Sequence, residues 1–474
     1  MSKRHRLITK LAYGSGSLAF GVKDNGFNVL LLLYYNQVLG LPVALAGTAL
    51  ALALAVDALF DPVIGYLSDN TRSRWGRRHP YMYGAALPVA LSYLLLWLPP
   101  AGLDHTGLFI YLFVVTIFVR TLISTYEIPS SALGPELTAD YDERTSYMAY
   151  RYLFGWVGGV TMYVLAFSVF LQPDADHPVG QLNPAGYRTY AIVASLVMLV
   201  SIIGSSLGTH SAIPHLKSPP PRQRIPIRQS LREIVQALGN PSAIALLTAN
   251  MVAGVGTGLA FALQSYFLTF FWGLSAQQIA ALGASSFIAA LAAMIVAPLL
   301  SRRFGKKTAI IAMFASAAVV APSAILAKLW GMFPASDSPA YLPLLFVHAT
   351  VAVCLSIVPA IIGGSMLADV VEDNQVRTGR RTEGVLFAAN AFLLKSISGL
   401  GLGAGATVLA LIQFPDQAVP GQVAPEVLGR MGTIFVCCIV FLYTVAIALV
   451  SRYRITRVLH AANLQALGAN ASSS

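Results

Sequence analysis

Asp57 and Asp61 stand four residues apart in a continuous apolar run, so on a helix they share one face, one turn apart. Two carboxylates at that spacing in a low-dielectric medium repel each other unless a cation lies between them. The pair therefore reads as a cation or proton site, and a hard cation such as Na+ favours oxygen ligands of this kind. Ser124, in a later apolar run, adds a hydroxyl if it faces the pair. The competing reading is structural, with both aspartates paired to Arg120, Arg151 or Lys395. Pro62, directly after Asp61, places a helix bend beside the site.

Asp24 and Glu127 also fall inside apolar runs, and Arg151 opens another. An ionisable group at the bilayer centre costs about 2.5–3.5 kcal/mol on insertion scales, so each needs a physical reason to be there. Glu127 and Arg151 form either a structural ion pair or, with Asp24, a set of acceptors and a forked donor for the hydroxyls of a polar solute. Lys23 precedes Asp24 and neutralises it locally. Lys395 is the lone cation deep in the second half of the chain; it either reaches the aspartates or snorkels to the interface.

The elements that must hold these residues follow from composition. The 474 residues are 56% hydrophobic and only 11% charged, against about 25% charged in a soluble domain. Runs long enough to span about 30 Å of hydrocarbon as helices lie near 11–39, 42–67, 81–100, 107–130, 150–171 and 187–209. Six more lie near 243–271, 277–299, 306–327, 341–367, 384–413 and 426–451. The expected fold is an all-α membrane protein of twelve transmembrane helices in two six-helix bundles. Residues 1–209 form the first bundle, 210–242 a proline-rich basic linker, and 243–474 the second bundle with a short tail expected to lack structure from Ala461. Trp75-Gly76-Arg77-Arg78 and Phe304-Gly305-Lys306-Lys307 follow the second and eighth runs, a repeat that implies matched halves. Small-residue stretches at Gly155–Gly159, Gly254–Gly258 and Gly399–Gly405 fit close helix packing.

Orientation follows from the basic residues, which accumulate on the cytoplasmic side of short loops. Of the 31 lysines and arginines, Lys23, Arg120, Arg151 and Lys395 fall within spans, and of the rest only Arg188, Lys328 and Arg430 lie opposite the basic loops. Both termini are therefore expected in the cytoplasm. The net charge of +11 is dispersed in loop ends, which argues against nucleic acid. The three cysteines lie in apolar runs with no disulfide or metal spacing, no HExxH occurs, and no nucleophile has an evident histidine partner. Neither an enzyme nor a bound cofactor is expected.

With these residues in view, the chain resembles the glycoside-pentoside-hexuronide:cation symporters of the major facilitator superfamily. The resemblance rests on Lys23-Asp24, on Asp57 to Pro62, on Thr71 to Gly76, on Ile128-Pro129 with Leu133 and Pro135, on Arg151, and on Met366 to Val371 ahead of Lys395. It implies alternating access in the bacterial inner membrane, with Na+, Li+ or H+ carried alongside a sugar or glycoside and no obligate protein partner. By the same resemblance Asp57, Asp61 and Ser124 hold the cation. Asp24, Lys23, Glu127, Arg151 and Ser131 match the sugar site, and Lys395 lies near both. Asp69, Arg72, Arg74, Arg77 and Arg78 match a gating loop. The sequence departs from the family at Phe60, where the type member has a sodium-binding asparagine, at Ser131, where it has a tryptophan beside the sugar, and at Glu127, where it has aspartate. The first departure favours proton coupling or an altered choice of ion, and the second leaves galactoside specificity without its stacking platform. Lysophospholipid symporters of the same superfamily share the aspartates and the lysine, which makes an amphiphile the alternative solute. A receptor that does not transport is the remote alternative.

Overall fold

The computed structural model describes residues 3–138, 141–215, 239–378 and 383–472, and among them there is no β-strand. The helices of the first half are α1 (Lys3–Ser15), α2 (Leu18–Asn25), the short α3 (Leu31–Leu33), α4 (Val43–Asn70), α5 (His79–Leu96), α6 (His105–Leu133), α7 (Tyr141–Leu165) and α8 (Pro184–His210). Those of the second half are α9 (Pro241–Tyr266), α10 (Ala276–Phe304), α11 (Lys306–Leu329), α12 (Tyr341–Thr378), α13 (Glu383–Leu411), α14 (Pro425–Val450) and α15 (Arg457–Ser472). Eight helices among the described residues are long and apolar enough to cross a membrane. Apolar side chains cover both their packed and their outward faces, with Leu291, Met294 and Val319 each exposed, as a lipid-facing surface requires.

The chain forms two compact units. One holds Met1–Gln223 with Ala262–Gly283 and Gly405–Val423; the other holds Arg224–Phe261, Ala284–Ala404 and Ala424–Ser474.

In the first unit α4 packs along α6, and α2 packs along α7. The second contact depends on glycine. A Cβ at Gly21 would collide with the Gly155 carbonyl oxygen, and one at Gly158 would sit 2.9 Å from the Leu18 backbone. The stretch Gly155–Gly159 thus lets α2 and α7 approach backbone to backbone, which brings Phe20 beside Arg151. Between α2 and α3 the helix widens into a π-turn at Gly26–Leu30, and a second follows at Tyr34–Val38. Such turns interrupt the regular i→i−4 ladder and often lie at functional positions. The first begins two residues after Asp24, and Gly26 fits there because a Cβ would strike the Tyr93 hydroxyl.

The second unit repeats the device. A Cβ at Gly401 on α13 would collide with the Gly258 backbone on α9, joining the other two small-residue stretches. The tail differs from the expectation of disorder: Arg457–Ser472 is helical. Asn463 explains its seat on α12, since its Nδ2 donates to Asp373 Oδ1 at 3.2 Å and the residue is buried.

Candidate functional site

The charged residues of the first unit converge between α2, α4, α6 and α7. Asp57, on α4, is only 1% exposed. Its Oδ1 accepts from Ser124 Oγ at 3.5 Å, and its Oδ2 lies 3.5 Å from Arg120 Nη1. Ser124 and Arg120 are four residues apart on α6, so one helical face presents both the hydroxyl and the cation to the same carboxylate. Arg120 also lies over the Phe27 ring, 5.1 Å from its centroid, a cation–π contact that steadies a guanidinium in an apolar setting. Asp57, Asp24 and Asp61 all act electrostatically on Arg120. Phe60, between the two aspartates, is 41% exposed and supplies no oxygen.

A second group lies nearby. Lys23 Nζ pairs with Asp24 Oδ1 at 2.7 Å; the lysine is 12% exposed and the aspartate 60%. Lys23 is in turn within electrostatic reach of Glu127 and Arg120. Arg151, on α7, does not use its fork on the Glu127 carboxylate. Its Nη1 donates to Ser130 Oγ at 3.1 Å, and its Nη2 to the Glu127 main-chain oxygen at 3.5 Å. Its guanidinium lies over Phe20, 4.6 Å from the centroid. The guanidinium is fixed in place by neutral partners, while the half-buried Glu127 side chain remains a separate acceptor. Ser131 turns to its own helix, donating to the Ile128 oxygen at 2.8 Å. Lys395 lies in α13, and its side chain falls outside the described residues.

The loop after α4 makes a third group. Arg78 is buried; it pairs with Asp69, donates to Ser68 Oγ at 2.9 Å and reaches Glu136 at 3.3 Å. Arg77 meets the same Glu136 at 2.7 Å. Arg74 lies over the Trp75 ring, and among the described residues Arg72 joins no ion pair. The second unit carries the counterpart. Gly76 and Gly305 both take positive φ, +72° and +82°, and the residue after each is paired: Arg77 with Glu136, and Lys306 with Asp369 at 2.7 Å. The repeat visible in the two basic tetrapeptides is thus a repeat of ion pairs. Sequence reasoning had missed Glu136. Its signal is the separation from its partner, 59 residues against 63 for Lys306 and Asp369.

The arrangement can bind a cation or a proton at one buried carboxylate, and can offer carboxylates and a fixed guanidinium to a polyhydroxyl solute beside it. Comparison with known proteins finds transporters. The family model described as MFS/sugar transport protein matches residues 12–457. The uncharacterized symporter sll1374 of Synechocystis sp. is 27% identical, over 89% of this chain and 89% of its own. The isoprimeverose transporter of Lactiplantibacillus pentosus is 25% identical, over 85% of this chain and 79% of its own. Among solved structures, a D-xylose-proton symporter aligns with a TM-score of 0.62 at 16% identity, over 93% of this chain and 97% of that one, a likeness of fold.

Proposed function

We propose that this chain, which belongs to the MFS/sugar transport protein family, carries a sugar or glycoside across the bacterial inner membrane by proton-coupled symport. The observation that carries the choice of ion is the Arg120 guanidinium 3.5 Å from the Asp57 carboxylate. A sodium ion at Asp57 would face that positive charge and would find Phe60 where an oxygen ligand could have stood. A proton meets neither obstacle. Protonation and pairing with Arg120 are two alternative ways of neutralising Asp57, so proton entry releases Arg120, and proton exit recaptures it. That exchange is a two-state element of the kind that alternating access needs.

The solute site in this reading comprises Asp24, Lys23, Glu127 and Arg151. The carboxylates accept from hydroxyls, and Arg151, anchored on Ser130 and Phe20, donates its remaining N–H groups. In this reading the protein works by alternating access, with the six-helix bundles of residues 1–209 and 243–474 as its two halves and both termini in the cytoplasm. The ion pairs of Arg77 and Arg78 with Glu136 break and re-form with the cycle.

Uptake into proteoliposomes tests the proposal. Isoprimeverose, the solute named for one relative, heads a panel of glycosides, pentosides and uronides. An inward proton gradient without sodium should drive accumulation of at least one member. Accumulation that requires a sodium gradient at uniform pH would refute proton coupling, and a lysolipid as the sole accumulated solute would move the assignment to amphiphiles. In the same assay Arg151→Ala should raise the solute concentration for half-maximal uptake by more than about tenfold, the loss of one charged hydrogen-bonding group. The pH dependence of that uptake should stay in place; a parallel shift in it would mean that Arg151 serves the ion site or the fold.

A further inference from the structure

The second unit contains a cavity of about 1010 Å³ that the transport reading does not use. Its apolar lining comes from Met294, Ala297 and Pro298 on α10, with Ile361 and Ile362 on α12, and it opens toward the lipid-facing surface where Met294 and Ile361 are exposed. Its mouth is basic, formed by Arg302 and Arg303 at the end of α10, Lys306 and Lys307 at the start of α11, and Arg457 at the start of α15. Gly305, at φ +82°, turns the chain sharply between α10 and α11, and four of these cations flank it in sequence.

The cations are not equivalent. Lys306 is neutralised by Asp369, which accepts from it at 2.7 and 2.8 Å. Arg457 is partly engaged, since its Nη2 donates to the Ser301 and Arg302 carbonyl oxygens at 3.1 and 2.6 Å. That bond fastens α15 across the mouth. Arg302, Arg303 and Lys307 have no carboxylate within ion-pair distance among the described residues. Asp369 is the only acidic residue in the lining. A pocket with a hydrocarbon wall and a surplus of cations at its mouth complements an anionic headgroup attached to an acyl chain. On the orientation given by the basic loops this mouth faces the cytoplasmic leaflet, where negative lipid is available and each nearby lysine or arginine contributes about 1 kcal/mol.

We propose that this cavity binds one anionic phospholipid, with the headgroup phosphate held by Arg303, Lys307 and Arg457 and an acyl chain laid between α10 and α12. The lipid bridges α10, α11, α12 and α15, so occupancy stabilises the unit.

The test is thermal unfolding of the delipidated full-length protein titrated with phosphatidylglycerol, with phosphatidylcholine of the same acyl chains, or with glycerol 3-phosphate. Phosphatidylglycerol should raise Tm saturably, and the other two should not. Arg303→Gln combined with Lys307→Gln should weaken the phosphatidylglycerol midpoint about thirtyfold, the loss of two such cations. Ile361→Trp, which keeps every charge and fills the apolar wall, should weaken it as well. Equal stabilisation by phosphatidylcholine, or a midpoint unchanged in both variants, would overturn the lipid site. Stabilisation by glycerol 3-phosphate as strong as by the lipid would reassign it to a free anion. Should the double variant not fold, the wild-type contrast between the lipids and the Ile361→Trp midpoint still decide. No transported solute enters the measurement, so its outcome is independent of which sugar is carried.

Discussion

Asp57→Asn should reduce proton-driven accumulation to background, a loss of at least about a hundredfold, while solute exchange down its own gradient continues. Asparagine keeps the shape of the side chain and can still accept from Ser124, but it can neither bind nor release the proton. The variant also removes the partner of a buried cation. Arg120 is 8% exposed, and stripping one member from a buried pair typically costs about 3–5 kcal/mol. Loss of uptake alone would therefore be ambiguous between coupling and folding. The double variant Asp57→Asn with Arg120→Met separates the two, because it removes both charges and leaves apolar volume against Phe27. Its unfolding temperature should recover most of the loss seen in the single variant, and its accumulation should not recover at all. Proton-driven accumulation by the double variant would place the coupling carboxylate elsewhere, with Asp61 as the next candidate.

What could be read in the sequence was whatever depends on local spacing. The four-residue interval between Asp57 and Asp61, the apolar runs, the glycine stretches and the paired basic tetrapeptides each carry a periodic or compositional signal that survives without coordinates. The choice of partner carries none. Arg120, Arg151 and Lys395 were all candidates for the aspartates, since a chain 63 residues away in sequence gives no sign of its distance in space; among the described side chains the packing of α4 on α6 brings Arg120 to Asp57. Arg151 illustrates the same limit. Its use of the Ser130 hydroxyl and the Glu127 carbonyl rather than the Glu127 carboxylate is a matter of placement in space that sequence spacing does not encode. The π-turn after Asp24 was equally hidden, because one extra residue in a helical turn leaves the pattern of a run that is apolar on every side unchanged. The helical tail escaped for a different reason. Its hold on α12 comes from Asn463 and His460 reaching acidic residues about ninety positions earlier, and polar tertiary contacts have no hydrophobic signature.

Arg120→Ala inverts the first experiment and tests the ion choice more directly. It takes the guanidinium away from Asp57, which stays buried with Ser124 still donating to it. A buried carboxylate that loses a neighbouring cation binds a proton or a metal ion more strongly. Asp57, Asp24 and Asp61 all act electrostatically on the position of the guanidinium, so its removal leaves a position that attracts a small cation. Sodium and lithium, which should leave the wild-type Tm unchanged, are expected to raise that of Arg120→Ala saturably by mass action. Stabilisation at one hundred times the dissociation constant would be about 2.7 kcal/mol. Potassium, too large for a seat shaped around one carboxylate and a hydroxyl, should do less. Proton-driven uptake should fall in the same variant, because protonation no longer competes with pairing and the exchange that drives the cycle is lost. If sodium stabilises the wild type as much as the variant, Arg120 does not occupy the ion's place, and the site is a sodium site with a neighbouring arginine. If sodium stabilises neither, the carboxylate resolves its burial by protonation alone, and proton coupling stands without Arg120 as the gatekeeper of metal ions.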